Sequence, residues 1–141
     1  MQNTGTYIAI LSRQLNLYFN HRLSGIEISA TELLYLAQLY KRDGILQEQL
    51  ADKLSIDRAA TTRTVRLMEQ KGLVHREIDD LDKRAKKVFL TEKAYAIESK
   101  LREIQKSWSD GITCDMTKEE VEKFSEQIRQ MAARAKEMNE N

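Results

Sequence analysis

Apolar residues recur along this chain at spacings of three and four, and one stretch alternates instead. That pattern predicts a string of helices interrupted by a single hairpin. Ile8, Leu11, Leu15, Tyr18 and Phe19 mark a first helix over residues 6–22, with Gly25 as a stop signal. Ser29-Ala-Thr-Glu32 fits a capping box, and a second helix follows with Leu33, Leu34, Leu36, Ala37 and Tyr40 as its apolar set, ended by Asp43-Gly44. Gln47 to Leu54 predicts a short third helix with Leu50, Ala51 and Leu54 inward; small Ala51 suits a close crossing of two helices. Ser55-Ile56-Asp57 makes the turn, and Asp57 caps a fourth helix over about Arg58 to Lys71, stopped by Gly72. Leu73–Ile78 and Lys86–Leu90 alternate as two strands around the polar loop Asp79–Ala85. Thr91 caps a helix over roughly 92–112, carrying Ala94, Ile97, Leu101, Ile104, Trp108 and Ile112. Thr117-Lys-Glu-Glu120 is a second capping box, and Val121, Phe124, Ile128, Met131, Ala135 and Met138 stripe the last helix.

Helix, tight turn, helix and charged hairpin, in that order, are the parts of a winged helix-turn-helix, a module that sets one helix into a DNA major groove. The fold class expected is therefore all-α dominated, mainly α with a two-stranded β-wing. The whole of 1–141 reads as a single unit, with the winged region at 30–90 and helical dimerisation segments at 1–24 and 91–141. The long stripe of the last helix must be buried somewhere, and in a chain of 141 residues a second subunit is the natural place.

Composition changes this picture little. Formal net charge is +1, but Arg58–Leu90 holds nine Lys/Arg against five Asp/Glu, while Asp115–Asn141 holds five against seven. A basic segment beside an acidic one points to a polyanion meeting part of the surface, although charge alone leaves a mixed solvated surface equally open. No apolar run approaches the ~20 residues a membrane helix needs. The start of the chain, Met1-Gln-Asn-Thr-Gly, lacks a secretory layout, and the single cysteine, Cys114, fits a reducing cytoplasm, so a cytoplasmic protein is expected.

The fourth helix carries the candidate chemistry. Ala59, Thr62, Arg63 and Arg66 share the face opposite Thr61, Val65 and Met68, giving short residues near the helix start and guanidinium groups that can reach guanine or phosphate. On the hairpin, Arg84 sits where it can enter a minor groove. Asp82 can accept hydrogen bonds from Arg84 or from loop amides and fix the tip, and Lys83, Lys86 and Lys87 add phosphate neutralisation. Tyr18, Tyr35, Tyr40 and Trp108 are candidates for an effector pocket, although packing is the more ordinary role for each ring. His21 and His75 are too isolated for a metal site, no cofactor motif is present, and no nucleophile–base pair or phosphate-cradling loop suggests an enzyme. Asp115 beside Cys114 disfavours a thiolate, which leaves an incidental thiol as the ordinary reading.

From Ser29 to about Lys100 the chain resembles the MarR family of bacterial transcription regulators. The resemblance rests on Leu50-Ala51-x-x-Leu54-x-Ile56-Asp57, Thr62-Arg63, Glu69-x-Lys71-Gly72-Leu73-Val74-x-Arg76, Asp82-x-Arg84 and Leu90-Thr91-Glu92-Lys93, in ungapped spacing. It implies a triangular homodimer with interleaved terminal helices, and binding to a near-palindromic operator. It also implies repression, less often activation, of nearby genes, and release by small phenolic or anionic aromatic compounds or by oxidants. Ala30, Ala60-Thr61, Asp80-Leu81 and Ala94 depart from the usual residues, so the operator sequence does not carry over. The alternative is a winged-helix module that binds another protein, which the presence of Arg63, Arg66 and Arg84 disfavours.

Overall fold

The computed structural model describes residues 3–140, which fall into two compact units, one ending at Gln105 and one beginning at Lys106. The first unit opens with α1 (Thr4–Leu23), capped by the Asn3 side chain on the Thr6 amide, and a 3-10 turn at Ser24–Ile26. Helix α2 (Ala30–Lys41) starts on the capping box expected at Ser29 and Glu32, with both reciprocal hydrogen bonds formed. Its inward set differs from the expected one. Leu33, Tyr35, Leu36 and Leu39 are buried, whereas Leu34 is exposed. The difference has a physical cause: the Tyr35 hydroxyl meets Thr61 Oγ1 at 2.9 Å inside the core, which draws position 35 rather than 34 inward.

A short strand, β1 (Ile45–Leu46), follows and runs directly into α3 (Gln47–Leu54). Ser55 ends α3 in the left-handed region, φ 54°, and donates its N–H toward Asp52 and Ala51. The side chain of Asp57 accepts from the Ala60 amide at 2.7 Å and so starts α4 (Arg58–Gln70). Replacing Asp57 by Ala is expected to lower unfolding free energy by about 1 kcal/mol, read as a lower urea midpoint at unchanged slope. An unchanged midpoint would show that the cap carries no weight here.

The two-stranded wing expected from sequence is present, and a further short strand, β1, extends it to a three-stranded sheet. Strands β2 (Val74–Ile78) and β3 (Lys86–Leu90) pair antiparallel with Arg76 opposite Val88, and β1 pairs on the other edge of β3 with Ile45 opposite Val88. Gly44, at φ 78°, makes the turn into β1; a Cβ there would lie 2.8 Å from the Phe89 ring, so both backbone and space demand glycine. The core lies between α2, α4 and this sheet, with Leu33, Leu36, Leu39, Leu50, Val65, Met68 and Val88 wholly buried.

The single helix expected over 92–112 is two: α5 (Glu92–Ala96) and α6 (Glu98–Ile112). Ile97 between them has φ −102° and ψ 0°, outside helical geometry. The carbonyl of Ala94 accepts from the Ile97 N–H and from the Tyr40 hydroxyl of α2. On α1, Phe19 and Leu23 are buried, but Tyr7, Ile8, Ile10, Leu11 and Leu17 are exposed.

In the second unit, Thr117 and Glu120 form the expected reciprocal cap of α7 (Lys118–Glu140). Along α7, Val121 and Phe124 are half-buried, whereas Ile128, Met131 and Met138 are exposed. Among the described residues no helix is long and apolar enough to cross a membrane.

Candidate nucleic-acid interface

Helices α3 and α4 are joined through Ser55 in its left-handed conformation, and Ala51 of α3 is buried. The inner face of α4 is Thr61, Val65 and Met68, all buried, and this turns Ala59, Arg63 and Arg66 to solvent as expected. Thr62 is half-buried. Its hydroxyl donates to the Arg58 carbonyl and accepts from Gln47 Nε2, both at 2.9 Å, so it ties α3 to α4 as well as facing outward.

Between α3, α4 and the sheet lies an open cleft of about 310 Å³. Arg58, Arg66, Arg76, Arg84 and Lys86 line it, with Glu48 as the one carboxylate among its lining residues. Glu48 pairs with Arg58 at 3.3 Å, both side chains well exposed. Five cations converging on one groove create a field that concentrates a polyanion there. Of the residues expected from sequence, Thr62, Arg66, Arg84 and Lys86 are brought together at this cleft, while Ala59, Arg63, Asp82 and Lys83 lie outside its lining. Gln47, Arg58 and Arg76 belong to it and were not anticipated. Arg76 stood in plain view in the Gly72-Leu73-Val74-x-Arg76 motif, and strand alternation could have placed it.

Arg76 has a second task. Its guanidinium donates to Glu69 Oε1 at 3.1 Å and its N–H to Oε2 at 3.3 Å, which clamps β2 to the end of α4. That hydrogen bonding holds the Glu69 carboxyl below the ordinary carboxylate range against the opposing effect of burial, with the nearby positive charge adding to it. Arg76 Nε and Gln47 Oε1 are buried without a protein partner, one donor and one acceptor on residues of the same cleft.

The wing tip is held by its own acids. The Asp79 N–H donates to the Ala85 carbonyl at 2.9 Å, the Asp82 N–H to Asp79 Oδ2 at 3.2 Å, and the Ala85 N–H to the Asp82 carbonyl at 3.0 Å. Asp82 Oδ1 accepts from the Arg84 N–H at 3.0 Å and lies 3.5 Å from its Nε. The Arg84 side chain is otherwise 94% exposed.

The other end of α4 is anchored through Lys71, whose ammonium reaches Glu32 Oε1 at 2.7 Å and the Glu27 carbonyl at 2.9 Å. Lys93 Nζ in turn donates to the Lys71 carbonyl at 2.6 Å. Glu32 is buried and the Lys71 side chain is 30% exposed, so the carboxylate end of this ion pair is shielded while the ammonium reaches solvent.

The four rings considered for an effector have separate placements. Tyr35 is wholly buried with its hydroxyl committed to Thr61, so it serves as a core tie. Tyr40 donates to the Ala94 carbonyl; burial, with the negative charge of Glu98 nearby, pushes its pKa up to about 12, and it remains a hydroxyl donor. Tyr18 is half-buried with the Arg22 guanidinium 4.4 Å above its ring. Trp108, half-buried, belongs to the second unit, as does the exposed Cys114. Among the described residues no group of three or more His, Cys, Asp or Glu could hold a metal ion.

Residues 28–86, which run from α2 through the helix-turn-helix and β2 to the first residue of β3, match the model of the MarR family. Over these residues the chain is similar to that family. A relative from Bacillus subtilis (strain 168), the uncharacterized HTH-type transcriptional regulator YybA, is 29% identical over 118 residues, covering 84% of this chain and 79% of the relative. The solved MarR transcriptional regulator from Methanosarcina mazei Go1 is 28% identical, with a TM-score of 0.88 over 95% of this chain and 96% of that one. A MarR family protein from Listeria monocytogenes, complexed with 26mer DNA, has a TM-score of 0.91 over 97% of this chain and 91% of its own, at 21% identity. At that identity the likeness is one of fold. The cleft and the wing tip described above both involve the segment that carries the MarR family match.

Proposed function

We propose that this chain is a sequence-specific, DNA-binding transcription regulator that works as a homodimer in the cytoplasm, by binding rather than by catalysis. The observation that carries the reading is the basic cleft between α4 and the wing, with Arg84 exposed at the tip beside Asp82 and Arg63 and Arg66 exposed on α4. Thr62, Arg63 and Arg66 contact the major groove and its phosphates, Ala59 allows close approach, and Lys83 and Lys86 neutralise phosphates on either side of Arg84. Asp82 acts through Arg84, by holding the tip.

Two observations support a dimer, each within its own unit. One is the exposed apolar set Tyr7, Ile8, Ile10, Leu11 and Leu17 on α1; the other is Ile128, Met131 and Met138 on α7. Exposed apolar surface of this extent on a small chain calls for a partner, and a second copy fits the family resemblance. Two copies reading one duplex need recognition helices one DNA turn apart, about 34–36 Å, so the operator is an inverted repeat. Repression of nearby genes, and release by a small anionic aromatic compound, extend the same reading.

The test is binding of the full chain to duplexes from its own promoter region, followed by fluorescence anisotropy across a salt series, with sedimentation to give the oligomeric state. Tight binding to a promoter duplex, a steep fall in affinity with salt and a dimeric mass are expected. Equal affinity for promoter and random duplexes would overturn the operator reading, and a functional monomer would overturn the dimer.

A further inference from the structure

We propose that Leu81 is a second wing-tip contact to DNA, an apolar side chain that seats against the sugar walls of the minor groove beside Arg84 and makes affinity depend on the sequence under the wing. The proposal rests on the DNA-binding reading above and adds a residue and a sequence dependence to it. Leu81 is 97% exposed, more than any other large apolar side chain among the described residues. A lone leucine on a surface is ordinary. This one differs in how it is held.

Its loop is closed on both sides. Asp79 and Ala85 share a backbone hydrogen bond, Asp82 is tied to the Asp79 carboxylate, and the Ala85 N–H returns to the Asp82 carbonyl. The Asp79 side chain is further paired with Lys87 at 3.6 Å. Leu81 lies between these fixed points, on a loop bridged across its base rather than a free one, and its apolar surface stays in water until something covers it.

Charge decides what that is. Lys83, Arg84 and Lys86 follow within five residues, and the Asp82 carboxylate beside them is already engaged by the Arg84 N–H and lies near its guanidinium. Leu81 itself stands between Asp80 and Asp82, but residues 79–87 hold four Lys/Arg against three Asp, with Asp79 paired to Lys87 and Asp82 to Arg84, so the loop is net positive. An apolar tip on such a loop matches a surface with apolar walls, a negative floor and an anionic rim. The DNA minor groove has those three properties: deoxyribose C–H walls, base-edge acceptors and phosphates. Proteins that enter it pair basic residues with aliphatic ones for this reason. Narrow A·T tracts bring the walls closest, so the leucine favours them.

The test uses the full chain and a duplex that it enriches from a random-sequence pool. A second duplex keeps the half-sites and replaces A·T pairs under the wing by G·C. Affinity is measured by anisotropy over a salt series for the wild type, Leu81→Ser and Arg84→Ala. Leu81→Ser is expected to weaken binding to the A·T duplex about fivefold, which is the scale of a partly covered leucine. It should also shrink the preference between the two duplexes and leave the slope of log affinity against log salt unchanged, because an apolar contact releases no counterions. Arg84→Ala should make that slope shallower. Leu81→Ser binding both duplexes like the wild type would overturn the proposal and leave the leucine for a protein partner; weakened binding together with a lowered unfolding midpoint would overturn it by making the leucine a structural residue of the loop. If the wild type enriches no duplex at all, the DNA-binding reading itself fails, and Leu81 with it; that failure is seen in the wild type alone.

Discussion

Replacing Arg84 by Ala is expected to weaken operator binding roughly tenfold to a hundredfold, about 1–3 kcal/mol, while the fold is untouched. The side chain is 94% exposed and its one protein partner is Asp82, so unfolding free energy should move by no more than about 0.5 kcal/mol. The loss has two parts that salt separates. A cation removed from the polyanion interface makes the slope of log affinity against log salt shallower by about one unit. What remains at high salt is the groove contact itself. Arg84→Lys keeps the charge and loses the planar fork, so it should retain the slope while losing part of the affinity. Anisotropy titrations at several salt concentrations check both. Unchanged affinity in Arg84→Ala would remove the wing from the interface.

Lys71→Met is expected to be the most destabilising of the substitutions discussed. It removes the ammonium from Glu32, whose side chain is 1% exposed and whose Oε2 already lacks a partner. The Ser29 N–H would still donate to Oε1, but no positive charge would remain beside the carboxylate. Stranding a buried charge in this way costs about 3 kcal/mol, whereas removing both charges costs much less. The Lys71→Met, Glu32→Gln double variant should therefore recover a large part of the loss, since Gln can still accept from Ser29. Urea unfolding of the two single variants and the double variant measures the coupling. Additive effects would show that the pair contributes nothing as a pair. The same contact joins the end of α4 to the start of α2, so the single variant should also weaken DNA binding by loosening the recognition helix.

What could be read from sequence was what short-range chemistry decides. The caps at Ser29, Asp57, Thr91 and Thr117 all formed on the residues expected, because a cap needs only its own side chain and an amide three positions on. The inner face of α4 followed from the spacing of Thr61, Val65 and Met68, and its outer face from the same periodicity. Strand β1 was missed because two residues carry no alternation, and only the partner across β3 makes them a strand. The break at Ile97 was hidden by an apolar period that runs unbroken through Ala94, Ile97 and Leu101, and a hydroxyl from α2 meets the chain at Ala94. Leu34 and Tyr35 exchanged places because a hydrogen bond to Thr61, 26 positions away, outweighed the apolar count.

The candidate site divides the same way. Exposed cations on one helix and one loop tip could be named from their spacing. Arg76 could have been placed by strand alternation, but Gln47 and Arg58 could not, because a cleft is made by three elements meeting, and the Gln47–Thr62 bond exists only once they have met.

The two residues of β1 have a mechanical effect out of proportion to their number. Leu46 is hydrogen-bonded into the sheet and Gln47 is already the first residue of α3, so the positioning helix is welded to the strand that leaves the wing. With Arg76 riveting β2 to α4, neither the hairpin nor the recognition helix can swing without dragging the other. On the DNA-binding reading, any signal that loosens the grip on a duplex must tilt the whole reading head as one block.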